Sequence, residues 1–590
     1  MFKNINNKIM YNETDDTSGI YFEKCGNGQI TARIEKDGRR YYVHSKYEPI
    51  KQAEKFVLDT EYDGDSFIIV FGLGLGYHIR ELLKNIYKNN FIIIFEPCEK
   101  LFNKALKCGM LNDILENERV FVFALNDIDE FKSVLSSSCE NENAYRIKTA
   151  VMSGYDKIFN DEYKGFLCAV RDTLRINEVN CATISNNSYL WSENIIKNIS
   201  YISESYDLCK FKNLFKDKPV IMVSAGPSLD KNVDVLKKIK DKAFIICVFV
   251  AAKVLLRHGI KPDLLIITDS RQKGFDDELS DVPIAFIPVA SQQLLFLHKG
   301  KKIALVNKME RFTQSLFKKY SKQIEYVSTG GSVACTAIDF AYFTGANPIV
   351  MIGQDLAFTD DKFHAEGTEH KSKNIEDTGR KKVLIPSFDG KTVYTEPAMY
   401  TYILWFEEYI REHKDVKIIN ATEGGALIKG ALYDTLENVY EKYIKNLPKS
   451  INDTLKSVFI DENKVFTENE ILRIKKRAAD IQKIIPDIKN DYAEAVTLCE
   501  RLIKIIKYNS DRKQADKIIK RLNNIDESTK KLEEFKYFTD VMSNAFQIKL
   551  AILRDEKYDE ETYNIKRRME KYLGINYSLE QLEKFIKWYL

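Results

Sequence analysis

A multidomain α/β protein is the fold class this sequence predicts, and three observations predict it. Short apolar runs, such as Phe67-Ile-Ile-Val-Phe71 and Pro219-Val-Ile-Met-Val223, break abruptly into glycine-containing loops that open amphipathic segments. That is the strand, loop and helix pattern of a parallel sheet covered on both faces. The alternation is sustained from Lys218 to Ile352. From about residue 436 glycine nearly vanishes, and Lys, Glu, Leu and Ile at helical spacing run to Leu590, which reads as a helical bundle with solvated charged faces.

At 590 residues the chain is too long for one hydrophobic core, so three or four domains are expected. With 89 basic and 86 acidic residues the formal charge is +3, which argues against a nucleic-acid partner. The ten cysteines are scattered without a Cys-x-x-Cys pair, so neither a disulfide framework nor a zinc site is expected and the compartment is read as reducing. The first residues lack the apolar core of a signal peptide and no run has the roughly 20 apolar residues of a membrane span. A cytoplasmic protein is expected, with no metal and no cofactor.

In chain order, residues 1–65 read as a small β-rich region, with hairpin turns at Gly26-Asn-Gly28 and Lys36-Asp-Gly38 and a helix after Pro49. Residues 66–210 read as a Rossmann-like domain plus a helical connector. Strand 67–71 is followed by Gly72-Leu-Gly74-Leu-Gly76, a helix from about His78, and strand 91–95 ending in Glu96. A Gly-x-Gly-x-Gly loop with an acid at the next strand's end is a nucleotide-holding arrangement. It resembles the first motif of S-adenosylmethionine-dependent methyltransferases, but it lacks the sixth-position glycine of the dinucleotide fingerprint, and a scaffold without ligand is the preferred reading. Strand 120–124 follows, then helical patterns at 155–178 and 188–207.

Residues 211–435 form the central domain, and the remainder, 436–590, the C-terminal helical domain punctuated by Pro448 and Pro486. Strands are expected at 219–223, 243–248, 263–267, 283–288, 302–306 and 347–352, with helices at 229–240, 250–258 and 332–344. In such sheets the ligand lies beyond the carboxyl ends of the strands, where the strand order reverses. Those ends carry Ser224, Gly226, Pro227 and Ser228, then Asp269 and Ser270, then Gln292, then Gly353, Gln354 and Asp355, and later Thr422 and Glu423. Gly226 lets backbone approach a ligand, Ser228 suits a helix N-cap, and first-turn amides favour an anion. Thr329-Gly330-Gly331-Ser332 is a second such loop, so one crevice is read with two anion-ready helix starts. The polar stretch 356–367 reads as a lid.

The motifs Ile221-Met-Val-Ser-Ala-Gly-Pro-Ser-Leu229, Lys261-Pro-Asp-Leu-Leu-Ile-Ile-Thr-Asp-Ser270, Thr329 to Ala337, Ile352-Gly-Gln-Asp-Leu-Ala-Phe358 and Asn420-Ala-Thr-Glu-Gly-Gly425 resemble the motility-associated factor (Maf) family of flagellin glycosyltransferases. Tyr42-Val-His-Ser-Lys-Tyr-Glu-Pro49 and Gly72 to Gly76 do so as well, and the resemblance covers roughly residues 20–430. That family's central domain is similar to bacterial sialyltransferases, in which a Gly-Pro-Ser-Leu loop holds the nucleotide. The resemblance therefore implies a CMP-activated nonulosonic acid as donor, of pseudaminic, legionaminic or sialic type, and flagellin Ser or Thr as acceptor. Homo-oligomerisation is left open.

Under that implied chemistry the leaving group can be stabilised by hydroxyls and helix-start amides without a metal. Consistent with this, 210–435 contain no Asp-x-Asp motif. The acceptor hydroxyl needs a base, for which histidine is suited near neutral pH. His364 is chosen, with His370 behind it and Asp355 as the neighbouring catalytic candidate, while His258 before Gly259 reads as a helix-end residue. Two alternatives stand beside this reading. The same central pattern looks like a hydroxymethylpterin pyrophosphokinase family, which would need ATP and Mg²⁺ with Asp269 and Asp355 as ligands. A non-catalytic flagellin-binding chaperone would use the C-terminal bundle to capture a partner helix.

Overall fold

The computed structural model describes residues 9–64, 66–124, 128–138, 146–308, 310–320, 322–358, 382–508, 511–527 and 560–589. Contacts divide them into two units. The first comprises the described residues within 1–182, 499–515 and 547–570, and the second those within 183–498, 516–546 and 571–590. The four-part division read from the sequence is finer than this grouping.

The first unit is built on a five-stranded parallel sheet of β1 (Ile9–Tyr11), β5 (Phe67–Phe71), β6 (Phe91–Phe95), β7 (Val120–Ala124) and β8 (Ile147–Val151), in the order β1-β7-β6-β5-β8. A three-stranded antiparallel sheet of β2 (Ile20–Lys24), β3 (Ile30–Lys36) and β4 (Arg39–Tyr42) contains the expected hairpins. Helices α1 (Pro49–Asp59), α2 (Tyr77–Asn85), α3 (Glu99–Lys107), α4 (Asn112–Glu116), α5 (Ile128–Ser138) and α6 (Tyr155–Ile158) connect the strands. Every residue of β5 and β7 is buried, as continuous apolar runs require of a sheet covered on both faces. Phe71, Phe95, Phe131 and Phe166 pack ring against ring with centroids 4.8–6.3 Å apart, a geometry that adds to simple area burial.

Phe166 belongs to α7 (Asn160–Lys197), a single helix of 38 residues where the sequence predicted two. The β-branched and Asn-rich stretch between Glu178 and Asn187 has low helix propensity, but tertiary burial of residues such as Cys181 overrides a preference of tenths of a kcal/mol per residue. Helix α8 (Ile199–Ser203) follows.

The second unit holds an eight-stranded, wholly parallel sheet. Its strands are β9 (Val220–Val223), β10 (Phe244–Val248), β11 (Leu264–Ile267), β12 (Ile284–Phe286), β13 (Lys302–Ala304), β14 (Ile349–Ile352), β17 (Ile418–Asn420) and β18 (Leu432–Tyr433). Their order is β13-β12-β11-β10-β9-β14-β17-β18. From β9 the chain adds strands outward to β13, then returns to place β14 on the other side of β9. The order therefore reverses between β9 and β14, whose residues pair Ile349 with Val220 through Ile352 with Val223. Helices α9 (Leu229–Ile239), α10 (Phe249–Arg257), α11 (Gln292–Leu297), α12 (Arg311–Lys319) and α13 (Val333–Phe343) cover the sheet. Residues 334–341 of α13 are all buried, because this helix lies between β9, β10 and β11 on one side and α14 (Pro397–Glu412) on the other. A hairpin of β15 (Val383–Pro386) and β16 (Thr392–Thr395) precedes α14.

Beyond the sheet the chain is helical: α15 (Leu436–Val439), α16 (Ile451–Val458), α17 (Glu468–Lys507), α18 (Arg512–Asp526) and α19 (Glu560–Tyr589). Pro486 does not end its helix as the sequence reading had it, since α17 runs through it. A proline there forfeits one backbone hydrogen bond. Burial of Ile481, Ile485 and Ile488 on either side holds the two halves in one rod.

Candidate functional site

At the reversal point the two loops predicted to bind a ligand are bonded to each other. Gly226 N–H donates to the Gly353 carbonyl at 2.8 Å, and Ser224 N–H to the Ile352 carbonyl at 2.9 Å. Ser224 Oγ donates to Gln354 Oε1 at 2.5 Å, and Gln354 N–H donates to Thr422 Oγ1 at 3.1 Å. Ser228 reaches Asp355 Oδ2 from its hydroxyl at 2.7 Å and from its amide at 3.3 Å. Asp355 is 2% exposed. Gly226 is required by this contact, because a Cβ there would lie 2.0 Å from Asp355 Oδ2 and 2.5 Å from the Gly353 carbonyl oxygen.

The predicted cap is therefore realised differently. Ser228 occupies the N-cap position of α9 but bonds none of its amides through its side chain; the hydroxyl goes to Asp355. A carboxylate of the chain itself thus sits at the start of α9, where the helix dipole favours negative charge. Glu423, at φ +58°, accepts from Asn232 Nδ2 at 3.0 Å and from Lys231 through its carbonyl, tying the β17 loop to α9. Nine of the predicted residues, Ser224, Gly226, Pro227, Ser228, Gly353, Gln354, Asp355, Thr422 and Glu423, are brought together in this way.

Asp269, Ser270 and Gln292 form a second group. Asp269 accepts from the Arg271 amide at 2.8 Å, and its carbonyl accepts from Ser291 N–H at 3.0 Å. Asn194 Nδ2 donates to the Ser270 and Val289 carbonyls, and Asn198 Nδ2 to those of Pro288 and Ala290, at 2.8–3.1 Å. Gln292 bonds the Tyr201 side chain. The sequence reading missed Asn194 and Asn198, which clamp two strand-end loops. Their spacing of four, from the last turn of α7 to the residue between α7 and α8, was the available signal.

Thr329 to Ser332 form a third group. Ser332 is a true N-cap, accepting from Cys335 N–H at 3.3 Å, and Thr329 Oγ1 accepts from Asn307 Nδ2. Gly330 lies flat against Trp405, whose ring a Cβ would meet at 2.5 Å, and Gly331 at φ +85° faces Tyr402. Trp405, Tyr409 and His413 stack along α14 and just past its end, with centroids 4.9 and 4.0 Å apart. Burial pushes the Tyr402 phenol and the Cys335 thiol up to about 12, so both stay neutral near pH 7. His364, the predicted base, and His370 lie outside the described residues. His258 caps α10 ahead of Gly259 at φ +72°, as read from the sequence.

In the first unit the Gly72 to Gly76 loop is filled from within. The buried Glu96 carboxylate accepts from Leu73 N–H at 2.7 Å, Gly74 N–H at 2.9 Å and Cys98 N–H at 2.9 Å. Leu75 N–H donates to His44 Nε2 at 2.9 Å, and His78 Nε2–H donates to the Gly72 carbonyl at 3.0 Å. Tyr155 packs where a Cβ on Gly72 would be, at 2.4 Å, and Ile114 does so at Gly76, at 2.2 Å. Burial holds His44 well below the ordinary histidine range and His78 down at about 4; it pushes the Glu96 carboxyl up against the amide bonds that lower it. The amides that would face a nucleotide in a Rossmann-like domain are here engaged by Glu96 and His44.

Among the described residues no cluster of three or more His, Cys, Asp or Glu is placed to hold a metal, and no helix is long and apolar enough to cross a membrane.

Residues 23–162 match the family model of the glycosyltransferase Maf N-terminal domain, and residues 193–361 match that described as 6-hydroxymethylpterin diphosphokinase MptE-like. The fold is similar to that of the Maf glycosyltransferase from Magnetospirillum magneticum AMB-1, with a TM-score of 0.56 and 15% identity over 97% of this chain and 92% of the other. Two proteins of Treponema pallidum (strain Nichols), both described as uncharacterized, are each 23% identical, over 238 and 214 residues. The first match covers 40% of this chain and 40% of the relative, and the second 35% and 69%. The resemblance read from the sequence is thus met twice, by the Maf domain model over 23–162 and by a Maf glycosyltransferase fold over nearly the whole chain.

Proposed function

With the Maf N-terminal domain and a Maf glycosyltransferase fold as premise, we propose that this chain is a glycosyltransferase that moves a nonulosonic acid from its CMP-activated form to Ser or Thr hydroxyls of flagellin. The observation that carries the reading is the sheet reversal between β9 and β14, where strand-end loops and the start of α13 are gathered in one unit. A crevice at such a point is where parallel α/β sheets hold ligands.

The residues divide the work. Ser224, Ser228, Gln354, Asp355 and Thr422 bond one another and fix the loop geometry, a preorganisation that lowers the cost of binding a donor. Thr329, Gly331 and Ser332, half-buried or exposed at the amino end of α13, offer a hydroxyl and helix-start amides to an anionic group. Asp269 and Gln292 extend the same rim and suit sugar hydroxyls. In this reading the donor's phosphate and carboxylate are held by amides and hydroxyls, no metal is needed, and His364 takes the acceptor proton.

Incubation of the protein with flagellin and CMP-activated nonulosonic acids, with and without chelator, followed by flagellin mass measurement, tests this. A sugar-sized gain that survives chelation is expected. No gain with any such donor removes the proposal. The match of residues 193–361 to a pterin diphosphokinase model favours a second reading, ATP- and Mg²⁺-dependent diphosphate transfer to a hydroxymethylpterin. Chelator-sensitive pterin turnover in place of flagellin modification would install it.

A further inference from the structure

The hairpin of β15 and β16 turns an apolar face to solvent, where a half-covered antiparallel pair should turn a polar one. Along β15 and the turn after it the side chains alternate: Ile385 and Ser387 are buried, while Leu384, Pro386 and Phe388 are exposed. Tyr394 lies opposite Leu384 in the register, and Phe388 stacks on Tyr433 of β18 with centroids 6.1 Å apart. We propose that this face is where the acceptor polypeptide docks, through a segment that sets apolar side chains beside acidic ones. The proposal rests on the transferase reading and extends it to the acceptor.

Position argues for the acceptor. The hairpin is bonded to the loops that meet at the junction of β9 and β14. Phe358 N–H donates to the Tyr394 carbonyl at 2.9 Å, Thr395 Oγ1 to the Leu356 carbonyl at 2.8 Å, and Leu427 N–H to the Pro386 carbonyl at 2.9 Å. Ser387 Oγ donates to the Gly425 carbonyl at 2.9 Å, beside Ala426, whose N–H donates to the Asp355 carbonyl at 2.8 Å. A chain lying on this face is therefore held within a few residues of the crevice that its hydroxyl must enter. The same bonds fix the face in place, so little order is lost when it is covered.

Size and charge narrow the partner further. Leu384 is 57% exposed, Tyr394 47%, Phe388 39% and Tyr433 38%. At the area usual for such side chains they leave roughly 350 Å² of largely apolar surface open, the size of an interaction patch. Each copy in a stable dimer buries roughly 800 Å², so the face suits a short segment, engaged and released at each turnover, better than a second copy of this chain. Aromatic anchors are where such contacts concentrate their energy. The rim sets the charge: Lys391 is paired with Asp389 at 3.1 Å, but the exposed Lys382 and Lys429 have no acidic partner among the described residues. Lys382 directly precedes β15, and Lys429 follows Ile428, whose amide donates to the Tyr433 hydroxyl at 2.7 Å. Two open cations beside the aromatic face favour carboxylates in the docked segment.

Calorimetry on the full chain with flagellin as probe reads docking without needing transfer. Saturable binding is expected that weakens as salt is raised, and that falls at least about tenfold in Leu384→Ser/Tyr394→Ser, the factor lost with one interface anchor. CMP binding, which needs the crevice but no acceptor, should be unchanged in that variant. Tyr47→Ser, at an aromatic residue 77% exposed in the first unit, should leave flagellin binding as it was. Because both hairpin residues are exposed, the fold should survive, as circular dichroism would verify. Absence of flagellin binding, binding indifferent to salt or to the double substitution, or a variant that loses CMP instead would each overturn the proposal. So would a wild-type dimer that the substitution dissociates, or a marked fall in the unfolding midpoint, since the face would then be covered by a second copy or by the chain itself. Binding that the substitution weakens, with no sugar gain from any donor, would uphold the surface while removing the transferase reading.

Discussion

Replacing Gly226 by alanine should break the junction between β9 and β14. The added methyl would lie 2.0 Å from Asp355 Oδ2, 2.7 Å from its Cγ and 2.5 Å from the Gly353 carbonyl oxygen. A carboxylate can swing aside, but the carbonyl is backbone and already accepts from Gly226 N–H at 2.8 Å. Relief therefore costs that hydrogen bond, about 1 kcal/mol, and the bond of Ser228 to a charged carboxylate, about 1.5–3 kcal/mol, beside about 1–3 kcal/mol of overpacking. A destabilisation of about 3 kcal/mol or more is expected from urea unfolding. Gly26→Ala, which meets nothing within 4 Å and needs no positive φ, should stay within about 0.5 kcal/mol of wild type. If Gly226→Ala unfolds at the wild-type midpoint and retains transfer, the junction does not hold the loops as described.

Other outcomes follow from the same geometry. His364→Ala should lower transfer about 10²–10⁴-fold while sparing CMP binding, checked by kinetics and titration calorimetry; full activity removes it as the base. His78, with a folded pKa held near 4, binds its proton more readily unfolded. Its contribution is thus retained above the unfolded value of 6.5 and lost as pH falls from there toward 4, by about 3 kcal/mol in all. His78→Gln should flatten the pH dependence of urea unfolding across that window, and since Glu96, which titrates in the opposite sense, is present in both proteins, equal slopes would refute the assignment. Gly330→Ala should push Trp405 off Tyr409 and shift tryptophan emission, at a cost of about 1–3 kcal/mol; an unchanged spectrum and midpoint would contradict the contact.

The strands were legible because a buried parallel strand must be continuously apolar, and β5, β6, β7, β9, β10 and β14 are such runs. The glycine loops were legible because only glycine tolerates their close approaches. Lateral strand order was not, since an apolar run does not say which neighbour it pairs with. Nor was the bond between Ser228 and Asp355, 127 residues apart, in which a residue typed as a helix cap serves a partner contributed by another strand. The edge strands β1 and β8 escaped because Ile9–Tyr11 is too short to show a period and the Ile147–Val151 run is broken by Lys148 and Thr149. The clamp formed by Asn194 and Asn198 was hidden for a related reason: an asparagine on a helix does not announce which carbonyls it will meet.

The loop between Gly72 and Gly76 also bears on how the protein answers to its surroundings. A domain that binds a metabolite in its folded state alone gains stability with the logarithm of that metabolite's concentration. Here the groups a nucleotide would occupy are covalent parts of the chain, so their effective concentration never changes. Glu96 and His44 should therefore hold this loop equally well whatever the nucleotide supply.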